Sequence, residues 1–276
     1  MTSLFRKATA LCLVSSALVG SLLVGATQVF ALTQEQIIQK LKPIPIFVLS
    51  GSKGEILSVA PPNGQKGRSL AGAFISRKDA QSFLDNVVKG KDPNLAKNGV
   101  QVVPVPLAAI YQMNQASKDK PDQPFFDYVP ARQQVESAVA LLKQGGVKVD
   151  RFNVTPLFAL VSKKGKETGF VVVQRGDQKS IPLFFDKEQS QALLDSLKKQ
   201  EAGLASNTEI EVLSLEEVIA NLQSTNNKDP KQEEFLSQIE LVRSQEANEF
   251  IKSISPQQGA PAPGNKKPAA APAPKK

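Results

Sequence analysis

Two serine–lysine pairs, Ser52-Lys53 and Ser162-Lys163, are the residues of this chain best suited to nucleophilic chemistry. A neutral lysine beside a serine can take up the hydroxyl proton and activate the oxygen. Both pairs sit in turn-like stretches rich in Gly, Ser and Lys, which backbone conformation and solvation already explain. Paired carboxylates, which can hydrolyse glycosides, are the second possibility. Glu216, Glu217, Glu233 and Glu234 fall on the polar faces of expected helices, and Asp85 and Asp195 lie beside apolar stripes. Solvation is the expected role of all six. Other classes lack their residue types: there is no His, and Cys12 is the only cysteine. That removes a Ser-His-Asp triad, a thiol nucleophile and a zinc site of ordinary ligands. "GSKGE" lacks P-loop spacing, and no G-x-G-x-x-G follows a strand. The expectation is a non-enzyme with no catalytic residues, no cofactor and no metal.

The start of the chain reads as an export signal. Arg6 and Lys7 precede the apolar run "ALCLVSSALVGSLLVGA", and "VFA" ends at Ala31 as a small-residue cleavage site. The alternative is an uncleaved anchor, since the run is nearly long enough to span a bilayer. Cys12 leaves with residues 1–31. The formal charge of +8 comes mostly from the ends, because two of the 34 basic residues lie in the leader and four in the tail, against 26 acids in the body. No nucleic-acid footprint is expected. The tail over 255–276, "SPQQGAPAPGNKKPAAAPAPKK", is Pro/Ala/Lys-rich and expected to be disordered, with weak contact to an anionic membrane surface as its further possibility.

Between these ends the pattern is that of a folded body of helices and short strands. "LTQEQIIQKLK" has Thr33 and Gln36 at capping-box spacing, with Ile37, Ile38 and Leu41 on one face. In "PIPIFVL" the two prolines predict an edge strand or a strand entry, and "EILSVA" and "LAGAFI" read as two more strands. Ala80, Phe83, Leu84 and Val87 form a helical stripe started by Ser76. The order then repeats. "TPLFALV" answers "PIPIFVLS", with Pro156 on Pro45 and Phe158 on Phe47; Asp186 takes the place of Ser76, and Leu193, Leu194 and Leu197 renew the stripe. Gln81, Leu84 and Asp85 match Gln191, Leu194 and Asp195. "EIEVLSLEEVIANL" answers "VQVVPVPLAAIYQM", and "ARQQVESAVALLKQGG" precedes the second unit as "TQEQIIQKL" precedes the first. The separation, about 110 residues, is domain-sized and far longer than a solenoid period.

The expected fold class is α+β, with two pseudo-twofold-related repeat units, each a small sheet with flanking helices. The expected boundaries are a first unit over 32–114, a connection over 115–130, a second unit over 131–223 and one C-terminal helix over 229–254. In the connection, "PFFDYVP" gathers Phe125, Phe126 and Tyr128. They form either a strand that buries at least one ring, or an exposed aromatic patch for another polypeptide.

"PIPIFVLSGSKGE", "ISRKDAQSFLDN", "VVPVPLAAIYQM" and "PFFDYVPARQQVESAVALL", behind a signal peptide, resemble the Tic-twenty-two family over about Thr33 to Leu222. Its plastid members belong to the intermembrane-space part of the inner-envelope translocon of chloroplasts, and the signal peptide resembles that of cyanobacterial members. The resemblance implies two similar halves with apolar pockets and a holdase-like role toward exported or imported polypeptides. It also implies a periplasmic or thylakoid-lumen location and a link to outer-membrane biogenesis through an Omp85-type insertion pore. It offers no catalytic residues. The alternative function is a structural adaptor that tethers envelope components through the basic tail.

Overall fold

The computed structural model describes residues 32–60, 67–90, 99–120, 123–149, 152–164, 167–200, 203, 206–224 and 230–254. The expected leader and tail lie outside the described residues. The first half runs α1 (Gln34–Leu41), β1 (Pro45–Ser50), β2 (Leu70–Phe74), α2 (Arg77–Gly90), β3 (Gln101–Pro106), α3 (Leu107–Ser117) and β4 (Phe125–Val129). After α4 (Arg132–Gln144) come β5 (Pro156–Lys164), β6 (Glu167–Phe170), β7 (Val173–Arg175), β8 (Gln178–Phe184) and α5 (Lys187–Gln200). The chain continues with β9 (Thr208–Ser214), α6 (Leu215–Gln223), α7 (Pro230–Gln238), β10 (Ile239–Val242) and α8 (Gln245–Ile254).

Local chemistry sets several of these boundaries. Thr33 and Gln36 close the expected capping box on α1, the Gln36 N–H donating to Thr33 Oγ1 and the Thr33 N–H to Gln36 Oε1. Ser76 Oγ accepts from the Asp79 N–H and starts α2. Gly176, at φ 62°, supplies the left-handed residue of the β7–β8 turn.

Two sheets result, and their strands follow one plan. In sheet 1 the order is β3-β1-β2-β4; in sheet 2 the path β9-β5-β8-β10 has the same order and directions. Phe47 faces Phe74 across β1 and β2, and Phe158 faces Phe184 across β5 and β8. The two proline-led strands are therefore central, so their prolines mark strand entry and not an edge. Pro45 and Pro156 open their strands, where a missing N–H does not break the ladder.

The inner faces of both sheets share one apolar core with α1, α3, α6 and α7, containing Ile46, Val48, Ala73, Leu157, Ile181 and Leu241 among others. The outer faces are covered by an exchange of helices. Leaving sheet 1 from β4, α4 packs on sheet 2, where Ala138 and Leu141 meet Phe158 and Phe184. Conversely α8 leaves sheet 2 from β10 and packs on sheet 1, setting the Phe250 ring edge-on to Phe47 at 5.4 Å. So α4 lies on an outer face, whereas α1 lies in the shared core; α4 and α8 each follow the last strand of one sheet and pack on the outer face of the other.

The first turns of α2, α4, α5 and α8 meet and satisfy one another. The Arg132 N–H donates to Asp79 Oδ2 at 2.8 Å, and the Lys78 N–H to Glu246 Oε1 at 2.8 Å. Likewise the Lys187 N–H donates to Gln134 Oε1 at 3.0 Å, and the Gln245 N–H to Asp186 Oδ2 at 2.7 Å. Each acceptor removes an orphan donor from a different helix, and the three carboxylates lie at the positive ends of dipoles.

Two expected elements differ. Residues 229–254 are not one helix: Ile239 and Leu241 alternate with Glu240 and Val242 in a strand parallel to β8, and Ser244 starts α8 by accepting from the Ala247 N–H. "EILSVA" is not a strand either, since Ile56 and Val59 make only isolated bridges to Ser50 and Leu70.

Candidate polypeptide-binding surface

The strand β4 divides the aromatic cluster that its sequence groups together. Phe126 points inward and is 3% exposed in the shared core. Its N–H and C=O are turned away from β2 and held by the Asn114 amide, at 2.8 and 2.9 Å. Tyr128 points to the same side and packs on the same core; burial first, then Glu216 and Tyr111, push its hydroxyl pKa well up. Phe126 is therefore closed to a partner, and Tyr128 is half-buried against the same core. Phe125 alone turns outward, 37% exposed.

Phe125 has company on that face. Leu70 is its partner across β2 and β4, and Val59 bridges Leu70 from the other side through two backbone hydrogen bonds of 2.7 and 2.9 Å. Directly opposed residues share a face, so Val59, Leu70 and Phe125 form one row, exposed to 69%, 51% and 37%. Along β2 the same face continues through Gly72 to Phe74. A Cβ on Gly72 would meet the Phe74 ring at 2.7 Å, so the glycine makes room for the ring to lie over it. Phe83, from α2, packs on Phe74 with centroids 5.4 Å apart and the rings tilted by 47°. Although it belongs to the apolar stripe of α2, Phe83 is 45% exposed, because the helix buries Ala80 and Leu84 instead. Its counterpart Leu193 is half-buried, while Leu84 and Leu194 are both buried as expected. Val59 and Leu70 escaped the sequence reading: alternation in "LAGAF" puts Leu70 with Phe74, but nothing local places Val59 beside them.

The residues considered for catalysis have other work. Lys163 pairs with Glu209 on an exposed part of sheet 2, and the Lys53 N–H donates to Glu55 Oε2 at 3.1 Å in an exposed turn. Asp85 and Asp195 accept from Gln81 and Gln191 at 2.9 and 3.0 Å on exposed helix surfaces. The residues shared by the two helices thus form the same i,i+4 pair twice. Glu216 differs from its expected solvated role: both its oxygens accept from the Thr155 N–H at 3.1 Å, and one accepts from Ser214 Oγ at 2.9 Å. It ties the start of α6 to the start of β5. Among the described residues no three acids, His or Cys converge as metal ligands.

Comparison with known proteins adds to this geometry. The model of the Tic22-like family matches residues 5–255. The chain belongs to the Tic22-like family. The Arabidopsis thaliana relative, a chloroplastic TIC 22-like protein, is 26% identical over 197 residues, 70% of this chain and 58% of its own length. This chain therefore spans little more than half of that Tic22 relative. The Pisum sativum chloroplastic TIC 22 is 23% identical over 192 residues, covering 70% of this chain and 68% of the pea protein. The solved Anabaena Tic22, described as a protein of protein transport, has a TM-score of 0.68 and 34% identity, over 81% of this chain and 98% of its own. Tic22 from Plasmodium falciparum shares the fold, at a TM-score of 0.57 and 16% identity over 79% and 96% of the two chains. The α/β architecture of two sheets and flanking helices is thus that of the solved Anabaena Tic22.

Proposed function

We propose that this chain is a non-enzymatic, chaperone-like factor of protein transport. It holds exported polypeptides in the periplasm, or in the thylakoid lumen, and releases them to an outer-membrane insertion pore of the Omp85 type. Membership of the Tic22-like family and the transport role of the Anabaena protein support the broad class. The observation that carries the finer reading is the exposed row Val59–Leu70–Phe125, on the face that continues along β2 to Phe74 and the exposed Phe83 against it. Apolar area yields about 25 cal/mol per Å² when covered. A covered area of about 400 Å² would give on the order of 10 kcal/mol before association and ordering costs, which leaves weak, reversible binding. Weak binding suits a carrier.

We further read the units over 32–114 and 131–223, each completed by a strand that lies beyond those expected bounds (β4 and β10), as copies of one module that have diverged on this face. Counting back from Phe184, the place of Leu70 is taken by Ser180; counting back from Val242, the place of Phe125 is taken by Gln238. The client surface belongs to the first half. Replacing Leu70 and Phe125 together by Ser tests it, with light scattering of an unfolded polypeptide in the absence of ATP as readout. The parent suppresses aggregation, and the double variant loses most of that effect with its circular dichroism and melting unchanged. Full suppression by the folded variant moves the site elsewhere. A parent that suppresses nothing removes the chaperone reading.

A further inference from the structure

The two sheets differ at one edge, and the difference bears on how an extended chain is held. In the β5–β9 ladder the Lys163 N–H donates to the Asn207 C=O at 2.7 Å, and the Leu215 N–H to the Thr155 C=O at 2.9 Å. Antiparallel pairs alternate between bonded and non-bonded. In this register Glu209, Glu211 and Leu213 bond β5, while Ile210 and Val212, opposite Leu160 and Phe158, turn their N–H and C=O outward. Among the described residues nothing bonds to those outward groups.

The equivalent edge of sheet 1 is blocked by proline at two of its outward positions. The Leu107 N–H donates to the Ile44 C=O at 2.8 Å, which by the same alternation turns Pro104 and Pro106 outward on β3. Their nitrogens have no hydrogen to offer an incoming strand. Val212 faces Phe158 as Pro104 faces Phe47, so the blocking residue of one edge is absent from the other. At β4 the Asn114 amide occupies the edge at Phe126.

We propose that β9 accepts an extended polypeptide as an added strand along Ile210 and Val212, and that it selects a segment alternating apolar and basic residues. This rests on the polypeptide-binding reading above and adds a second, backbone-directed element to it. Main-chain bonds supply affinity in strand addition, and the side chains alternating on the two faces supply selectivity. On one face Ile210 and Val212 continue an apolar cluster with Leu141 and Leu193, against which apolar side chains of the added strand would lie. On the other stand Glu209 and Glu211, with Lys163 paired to Glu209. A basic side chain beside Glu211 neutralises the excess acid. A second copy of β9 in antiparallel array would instead set glutamates against glutamates, which disfavours self-pairing.

The test uses the full chain and two ten-residue probes, one alternating Val and Lys, the other Val and Glu. In the free protein the Ile210 and Val212 amides exchange hydrogen freely; the Val–Lys probe slows them by about tenfold or more, as closure of an open edge requires. Val212→Pro, which copies the proline-blocked edge, removes Val–Lys binding while suppression of client aggregation through Leu70 and Phe125 remains. The pair Glu209→Lys and Glu211→Lys turns the preference to Val–Glu, and serves if the proline variant does not fold. Probe binding that leaves both amides unprotected, or that survives unchanged in folded Val212→Pro, overturns the proposal. Protection that rises with protein concentration alone also overturns it, since the occupant is then a second copy. Loss of suppression in the Leu70→Ser, Phe125→Ser variant with amide protection intact separates the two surfaces. Absence of both effects in the parent defeats the wider reading.

Discussion

Phe125, Phe126 and Tyr128 stand next to one another on β4 and divide between solvent and core, because successive residues of a strand face opposite ways. Phe126→Ser empties a ring-sized space in the shared core and should cost about 3–5 kcal/mol in denaturant unfolding. Phe125→Ser, at the exposed end of the row, should stay within about 0.5 kcal/mol of the parent. Equal losses would mean that both rings are core. The grouping of three aromatics was visible in the sequence; which of them faces out was not, since that depends on pairing with β2 and on Asn114, eleven residues before the strand begins. Asp186 shows the same limit. Its sequence position marks a helix start, but its carboxylate serves the first turn of α8. Burial raises its pKa above the ordinary 3.8, partly opposed by the Gln245 N–H and supported by Glu188 and Glu246. A raised carboxyl pKa makes the folded state bind the proton more readily than the unfolded chain. Its contribution to stability therefore grows as pH falls from above the folded value toward the ordinary one. Asp186→Asn should lack this increment while keeping an acceptor for Gln245. Unfolding curves at neutral pH and near pH 4 read the difference, and parallel pH profiles for parent and variant would contradict it.

Helices declared themselves at the scale of elements because their periodicity is local. The stripes of α2 and α5 turn Leu84 and Leu194 into the body as spacing predicts. Leu84→Ala and Leu194→Ala should each cost about 2–5 kcal/mol, read from urea midpoints with unchanged slopes. Midpoints equal to the parent's would take both residues out of the core. Sheet position was less legible. Proline at the head of "PIPIFVL" and "TPLFALV" suggests an edge, yet a first-residue proline is equally compatible with a central strand, and only the partners decide. The stretch over 229–254 misled for a related reason. Phe235, Leu236, Ile239 and Val242 fit a helical stripe, but Ile239 to Val242 also fit the alternation of a strand, and β8 had an open side that a parallel strand could fill. Short apolar runs do not settle this choice by period alone.

For the molecule as a whole, the exchange of α4 and α8 joins the halves more firmly than adjacent domains would be joined. Each sheet owes part of its outer cover to a helix that follows the other sheet's last strand, and both inner faces feed one core. The Gln223 side chain also reaches the Tyr111 hydroxyl at 3.1 Å, and Lys40 donates to the Ser237 and Ile239 carbonyls at 2.6 and 2.9 Å. Two separable domains would melt separately; a chain built this way should unfold in one transition, with all probes coincident. The sequence supplies a natural reporter. Its only two tyrosines, Tyr111 and Tyr128, both lie in the first half, while circular dichroism follows the helices and strands of both. Leu194 packs on the outer face of sheet 2, in a cluster with Leu160 and Val171. Leu194→Ala should therefore shift the tyrosine-fluorescence midpoint by as much as the circular-dichroism midpoint, although no tyrosine is near the cavity. A tyrosine transition that keeps the parent's midpoint, with dichroism splitting in two, would show that the sheets unfold independently and that the exchanged helices do not couple them. A client or an added strand bound to one half would then stabilise that half alone. With one transition, binding at Leu70 and Phe125 and binding at β9 each raise the midpoint of the whole chain.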